Sequence, residues 1–105
     1  MPRFDVYPNP SSRTSEVPYV LDVQSDLLAD LDSRVVIPLR RLGVFAHVRL
    51  PQRMCPVLQV GDEHLLLETP KLAAIPRKLL KNPVQSLAAE QTLITAALDF
   101  VFQGY

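Results

Sequence analysis

The stretch PVLQVGDEHLLLE, from Pro56 to Glu68, decides the fold class of this 105-residue chain. Two short runs rich in valine and leucine flank the dipeptide Gly61-Asp62, which is the pattern of a β-hairpin with a two-residue turn. A hairpin alone is marginally stable in water and needs partners for its apolar face. The pattern therefore predicts an antiparallel sheet to which other parts of the chain contribute strands.

Three segments before this hairpin also predict strands, because each carries β-branched, aromatic or alternating apolar residues. They are Phe4–Tyr7, Tyr19–Gln24 and Arg34–Leu39. Pro38 has no backbone N–H to donate, which predicts a position at a sheet edge, a bulge or a strand end. Leu27–Ser33 is too short for a stable isolated helix. Gly43–Arg53 is interpreted as one or two strands of a small arm.

The C-terminal segment predicts the one helix. Its apolar residues fall on a single stripe at helical spacing: Leu87, Ile94, Leu98 and Val101. Two N-caps are plausible, Asn82 before a proline and Ser86 further on, and Gly104 can end the helix. The expected fold is mainly β with one C-terminal helix, in a single domain spanning residues 1–105.

Composition argues against several classes of partner. The chain has 11 basic and 11 acidic residues, so its net charge of zero gives no attraction to nucleic acid or membrane. No signal-peptide core or spanning apolar stretch is present, which predicts a cytoplasmic protein. Arg34 to Arg53 holds five arginines and no carboxylate. This run is interpreted as a solvated arm, or alternatively as a surface for an acidic partner.

Residues with catalytic chemistry are sparse. His47 and His64 lie far apart without metal-ligand spacing, and only three glycines are present, so no phosphate-binding loop is expected. Cys55, the only cysteine, is expected to be a buried, inert thiol. The aromatic residues are not interleaved with basic ones as on a nucleic-acid platform. The sequence therefore predicts no catalytic residue, no metal and no cofactor, and a function based on binding.

Six blocks, in order along the chain, resemble the CcdB family of toxins. They are Phe4–Tyr7, Leu21–Leu28, Arg34–Leu39, Pro56–Glu63, Ala74–Pro76 and Phe102–Tyr105. The run DVQSD followed by VIPL is specific in combination. The resemblance implies a five-stranded, barrel-like antiparallel sheet with a small three-stranded wing and a long C-terminal helix.

The resemblance also implies a function. CcdB-like proteins are homodimeric toxins of type II toxin–antitoxin modules that bind the A subunit of DNA gyrase and poison it. A CcdA-like antitoxin neutralises them through a disordered segment. The family makes its gyrase contact with the helix end, so the implied gyrase-binding residues here are Gln103, Gly104 and Tyr105, with Asp99, Arg3, Phe4, Ser25 and Leu27 carried over by position. Tyr7 on the first strand is carried over by position as well. For Phe4, Tyr7 and Phe102, core or dimer packing is the alternative.

Gln103 departs from the family pattern, which has a tryptophan there. Tyr105 is a possible aromatic replacement. The alternative function is a CcdB-fold interaction or regulatory protein that binds an antitoxin, with regulation of its operon as a further role, but has lost gyrase poisoning. A small RNA-cleaving enzyme is a third hypothesis, and it requires a cluster of histidine, arginine and glutamate that the sequence does not suggest.

Overall fold

The structure, a computed structural model, describes residues 2–11, 14–45 and 51–104. Within these residues seven strands precede one α-helix: β1 (Asp5–Pro8), β2 (Tyr19–Asp22), β3 (Ser33–Arg41), β4 (Val57–Val60), β5 (Glu63–Leu67), β6 (Ala73–Pro76), β7 (Gln85–Ser86) and α1 (Gln91–Gln103). Short 3-10 turns connect several of these elements. The predicted fold class, mainly β with one C-terminal helix, is confirmed.

All strand pairs are antiparallel, and the sheet order is β4-β5-β3-β2-β1-β7 with β6 also paired to β3. The long strand β3 is shared, because its first half pairs with β6 and its last three residues pair with β5. A five-stranded set (β6, β3, β2, β1, β7) and a three-stranded set (β4, β5, β3) result. The expected sheet and wing are thus two parts of one sheet rather than separate sheets.

The predicted hairpin is confirmed. The predicted strands of the arm are not seen in the part of the arm that the structure describes. In the hairpin Val60 pairs with Glu63 across a two-residue turn, and Gly61 has a φ of +58°, the sign that a type II′ turn requires at its first central position. Leu42–Phe45 forms a 3-10 turn and residues 51–53 are not in a strand. Residues 46–50 of the arm lie outside the described residues.

The side chain of Gln85 links the two ends of the nearly closed, barrel-like sheet. Strands β4 and β7 are at opposite ends of the sheet order. Gln85 Oε1 accepts the N–H of Gly61 at 2.9 Å, and Gln85 Nε2 donates to the carbonyl of Gln59 at 3.1 Å. The amide uses one of its two N–H donors and its oxygen acceptor here, which is the pair of groups that a peptide bond offers. It therefore takes the place of a strand-to-strand pair at this seam.

Pro38 lies inside β3, and its missing donor costs no hydrogen bond to a neighbouring strand. Its carbonyl accepts the N–H of Glu68 at 3.0 Å, on the side where β5 and β6 lie. In a strand the N–H and C=O of one residue point to the same side. On that side β6 pairs only as far as Val36 and β5 starts only at Leu39. Pro38 thus lies at the gap between the two partners.

The main core lies inside the barrel, and a smaller cluster packs on the opposite face of the sheet. Side chains without solvent exposure in the main core include Leu21, Ile37, Leu65, Leu67 and Ile94. The second cluster contains Tyr7, Val20, Val36 and Leu80. Neighbouring residues of one strand belong to different clusters, as the two-residue period of a strand requires. Ile94 belongs to the main core, so α1 is fixed against the barrel.

The helix ends where predicted but starts later. Gly104 adopts the left-handed conformation, with a φ of +80°, and its N–H donates to the carbonyl of Phe100 at 2.9 Å. Asn82 has a φ of +58° and cannot start a helix there. Ser86 lies in β7, and its Oγ accepts the N–H of Ala88 in the 3-10 turn before α1. Both predicted starts are therefore wrong, because pairing with β1 holds this segment extended.

Candidate protein-binding face

Four of the residues implied by the resemblance lie together at the start of α1. Together with Asp26 they form what we call the loop cluster: Arg3, Phe4, Ser25, Asp26 and Leu27. With Ala88 and Gln91 from the start of the helix, they line a depression of about 390 Å³. Segments more than twenty residues apart in the sequence thus meet on one face.

Hydrogen bonds fix the backbone of the loop cluster. Ser25 Oγ accepts the N–H of Leu27 at 3.2 Å and caps a single 3-10 turn. Asp26 Oδ1 accepts the N–H of Arg3 at 2.9 Å, and Arg3 Nε donates to the carbonyl of Val23 at 2.8 Å. The Leu27 side chain is 95% exposed. A fixed turn therefore presents an apolar side chain to solvent.

Phe4 supports the loop cluster from the core of the barrel and has little contact with solvent. Its side chain is 4% exposed and belongs to the main core. Its backbone has a φ of +74°, donates to the carbonyl of Asp22 and accepts the N–H of Leu87. The guanidinium of Arg3 lies 4.7 Å from the centre of the Phe4 ring. The alternative of core packing holds for Phe4, as it does for Tyr7, which is 2% exposed.

The end of the helix is exposed. Phe102 is 70% exposed, and Gln103 and Gly104 are also exposed. We call Phe102–Gly104 the helix tip; Tyr105 lies outside the described residues. Core packing is therefore wrong for Phe102. The tip offers a phenyl ring and an amide, with no basic residue in the last helical turn.

A second depression follows one side of α1 from its start to Asp99. It measures about 360 Å³ and is lined by Gln91, Thr92, Thr95, Ala96 and Asp99. Gln91 also lines the depression at the loop cluster. A helix rises about 1.5 Å per residue, so the tip lies roughly 18 Å beyond Gln91. Within one chain, the implied site residues thus follow one side of the helix and do not converge on a point.

The sequence reasoning missed Gln91 and Thr95, although a signal for them was present. Gln91, Thr95 and Asp99 follow one another at intervals of four, which places them on one side of a helix. Only Asp99 was implied by the resemblance. We call Gln91, Thr95 and Asp99 the polar line. Because the helix was predicted to start too early, the sequence did not indicate where this line begins.

The arginines of β3 are paired and do not form a solvated arm. Arg34 binds Asp22 at 2.8 Å with both side chains fully buried, and Gln24 is buried beside them. Arg40 binds Glu68 at 2.7 Å and Glu16 at 3.2 Å. The solvated-arm interpretation is thus wrong for Arg34 and Arg40. Their carboxylate partners come from the acidic N-terminal part of the chain and from the end of β5.

Arg41 on β3 and Glu63 on β5 form a further ion pair, in which Arg41 Nε lies 2.9 Å from Glu63 Oε2. Their hydrogen bond lowers the pKa of Glu63 below its usual value and raises the pKa of Arg41. The three arginines of β3 thus all bind carboxylates of the same chain. Of the other two arginines in the run, Arg53 is exposed and Arg49 lies outside the described residues, so the alternative of a surface for an acidic partner stays a prediction.

The remaining reactive side chains that the structure describes are Cys55 and His64. Cys55 is 3% exposed, and burial raises the pKa of its thiol, so the prediction of a buried thiol is confirmed. His64 is exposed on β5, and His47 lies outside the described residues. In the described part of the chain, no three His, Cys, Asp or Glu side chains are arranged to hold a metal ion. No helix there is long and apolar enough to cross a membrane.

Comparison with protein families assigns the chain to one family. The model of the family described as CcdB protein matches residues 3–104. The match spans nearly all of the 105 residues and includes the loop cluster, the three-stranded set and the helix tip. The chain belongs to the CcdB family.

Proposed function

We propose that this protein is the toxin of a type II toxin–antitoxin module and acts by binding the A subunit of DNA gyrase. The family assignment supports the toxin class. The observation that carries the binding mechanism is the loop cluster, in which a fixed turn presents Leu27 at 95% exposure beside α1. Apolar side chains displayed in this way supply binding energy when a partner buries them.

The binding face consists of the loop cluster, the polar line of α1 and the helix tip. The toxin stalls gyrase by occupying a surface of it, and no residue of the toxin makes or breaks a covalent bond. A CcdA-like antitoxin neutralises the toxin by covering it with a disordered segment. The protein acts in the cytoplasm as a homodimer, which brings two helix tips to one gyrase dimer.

A pulldown against the gyrase A subunit tests this function. The full chain is expected to capture the subunit, and a chain lacking Gln103–Tyr105 is expected to lose capture and toxicity. The fold should survive this truncation, because the buried residues of α1, Ile94 and Ala97, precede the tip. Far-UV circular dichroism of the truncated chain provides the control. Growth arrest by the truncated chain would contradict a mechanism through the helix tip.

A second candidate function is a CcdB-fold protein that binds an antitoxin without poisoning gyrase. Gln103 favours it, because a glutamine at the exposed tip has neither the area nor the ring of the family's tryptophan. This function predicts normal growth on expression and no capture of gyrase, together with tight binding of a CcdA-like antitoxin. Parallel growth and antitoxin-binding measurements distinguish the two functions.

A further inference from the structure

Gln24 is buried where the chain leaves β2 and enters the turn that carries Leu27. The residue is 6% exposed and lies outside the loop cluster. Its Oε1 accepts the N–H of Val35 at 3.0 Å, and its Nε2 donates to the carbonyl of Leu28 at 2.9 Å. One side chain thus ties the last residue of the turn to strand β3.

The bond to Val35 replaces a bond between two backbones. Val23 continues the register of β2 opposite Val35, and its N–H donates to the Val35 carbonyl at 3.0 Å. In a regular antiparallel pair the Val35 N–H would return a bond to the Val23 carbonyl. That carbonyl instead accepts Arg3 Nε at 2.8 Å. Gln24 therefore satisfies the N–H of β3 while the Val23 carbonyl holds Arg3 of the loop cluster.

A buried ion pair fixes the backbone of Gln24. Asp22 Oδ1 accepts the Gln24 N–H at 3.0 Å, and Arg34 Nη2 donates to the Gln24 carbonyl at 3.5 Å. Asp22 and Arg34 bind each other at 2.8 Å, and neither side chain is exposed to solvent. Buried polar groups that are bonded in a network are rigid. The side chain of Gln24 thus reaches Leu28 from a fixed support.

The turn itself has no packing that keeps its shape. Its residues Asp26–Leu28 include no buried side chain, and Leu27 is 95% exposed. Segments with few buried apolar contacts open at a low free energy. The shape of the turn therefore depends on hydrogen bonds at its two ends, where Ser25 Oγ accepts at the start and Gln24 Nε2 donates at the end.

From these contacts we infer that Gln24 is a positioning residue for partner recognition. It does not touch the partner, and it holds the turn in the conformation that presents Leu27. Because the turn is already ordered in the free chain, little conformational entropy is lost when a partner covers Leu27. This role rests on the proposed function and extends it from the exposed contact residues to a buried one.

A double-mutant cycle with the full chain tests this role. Gln24→Met keeps the approximate length of the side chain and removes both of its hydrogen bonds. Surface plasmon resonance on immobilised gyrase A subunit gives the Kd of the wild type, Gln24→Met, Leu27→Ala and the double variant. Ordering the turn only on binding should weaken the affinity of Gln24→Met roughly 2- to 12-fold. In the Leu27→Ala background the same substitution should have a smaller effect, because the side chain that Gln24 positions is absent.

Amide hydrogen exchange of the free chain tests the same role without gyrase. The N–H groups of Leu28 and Ala29 donate within the turn. Their exchange should become roughly 2- to 12-fold faster in Gln24→Met, which is the equivalent of one lost hydrogen bond. Gln85→Met is the matched control, because it also removes two side-chain hydrogen bonds, at the seam between β4 and β7. It should leave both the exchange of the turn and the Kd unchanged.

Gln24→Glu is the second variant and is used where Gln24→Met does not fold. It keeps an acceptor for the Val35 N–H and removes only the donor to Leu28. Three outcomes would overturn the inference: unchanged exchange of the turn, equal acceleration in Gln85→Met, or an affinity loss that is the same with and without Leu27. A wild-type chain that does not bind gyrase would contradict only the proposed function, because exchange in the free chain still shows whether Gln24 holds the turn.

Discussion

Replacing Leu27 by alanine should weaken gyrase binding without destabilising the toxin. The Leu27 side chain is 95% exposed in the free chain, so nearly all of its apolar area is available for burial by a partner. Truncation to alanine removes three carbons. At about 0.8 kcal/mol per buried methylene group, the loss is about 2.4 kcal/mol, or roughly 50-fold in Kd. An exposed substitution should leave the free energy of unfolding within about 0.5 kcal/mol of the wild type.

Surface plasmon resonance on immobilised gyrase A subunit measures the affinity, and thermal unfolding provides the stability. Val57→Ala is the matched control, because Val57 is an apolar residue of β4 that is 47% exposed and lies outside the binding face. An unchanged Kd for Leu27→Ala would refute the assignment of the loop cluster to the interface. An equal loss in Val57→Ala would show that the effect is not specific to this turn.

Three further predictions concern the fold. Asp22→Asn leaves the buried Arg34 guanidinium without its carboxylate, so urea unfolding should show a loss of about 3–5 kcal/mol. Gln85→Ala removes two exposed hydrogen bonds at the barrel seam and should cost about 1–2 kcal/mol, with faster amide exchange at Gly61. Burial, together with the charge of Asp22, raises the pKa of Asp5, so its ionised form destabilises the fold. Asp5→Asn should therefore raise Tm at pH 7, and the gain should vanish below about pH 3.8, where Asp5 is protonated in both folded and unfolded chains.

The sequence predicted the parts of the fold that depend on local chemistry. Gly61 and Gly104 both have the positive φ that their positions in a hairpin turn and at a helix end suggested. Non-local pairing caused the errors. Asn82 and Ser86 resemble helix caps, yet residues 85–86 pair with β1, about eighty residues earlier in the chain. Local propensity cannot detect such a pairing.

The charge pattern misled for the same reason. Arg34 and Arg40 belong to a run without carboxylates in the sequence, which suggested a solvated arm. Their partners, Asp22 and Glu68, are 12 and 28 residues away and become neighbours only through the register of the sheet. Basic and acidic residues thus lie in separate parts of the sequence, and strand pairing brings them together across the sheet.

Only part of the candidate site was predictable. The resemblance implied Arg3, Ser25 and Leu27 by position, and the structure brings them together at the start of α1. It also shows that Phe4 is a buried support of this site, in agreement with the core-packing alternative that the sequence left open.

Buried and exposed side chains are separated along α1, so the proposed binding residues at its end can change while the fold is kept. The buried residues Ile94 and Ala97 lie in the first half of the helix, where they hold it on the barrel. The helix tip contributes only exposed side chains and the cap at Gly104. Substitutions at Gln103 therefore cost the fold little, and the tip can change with the partner surface. A departure from the family pattern at Gln103 therefore does not indicate a different fold. It bears on the partner surface that the helix tip is proposed to contact.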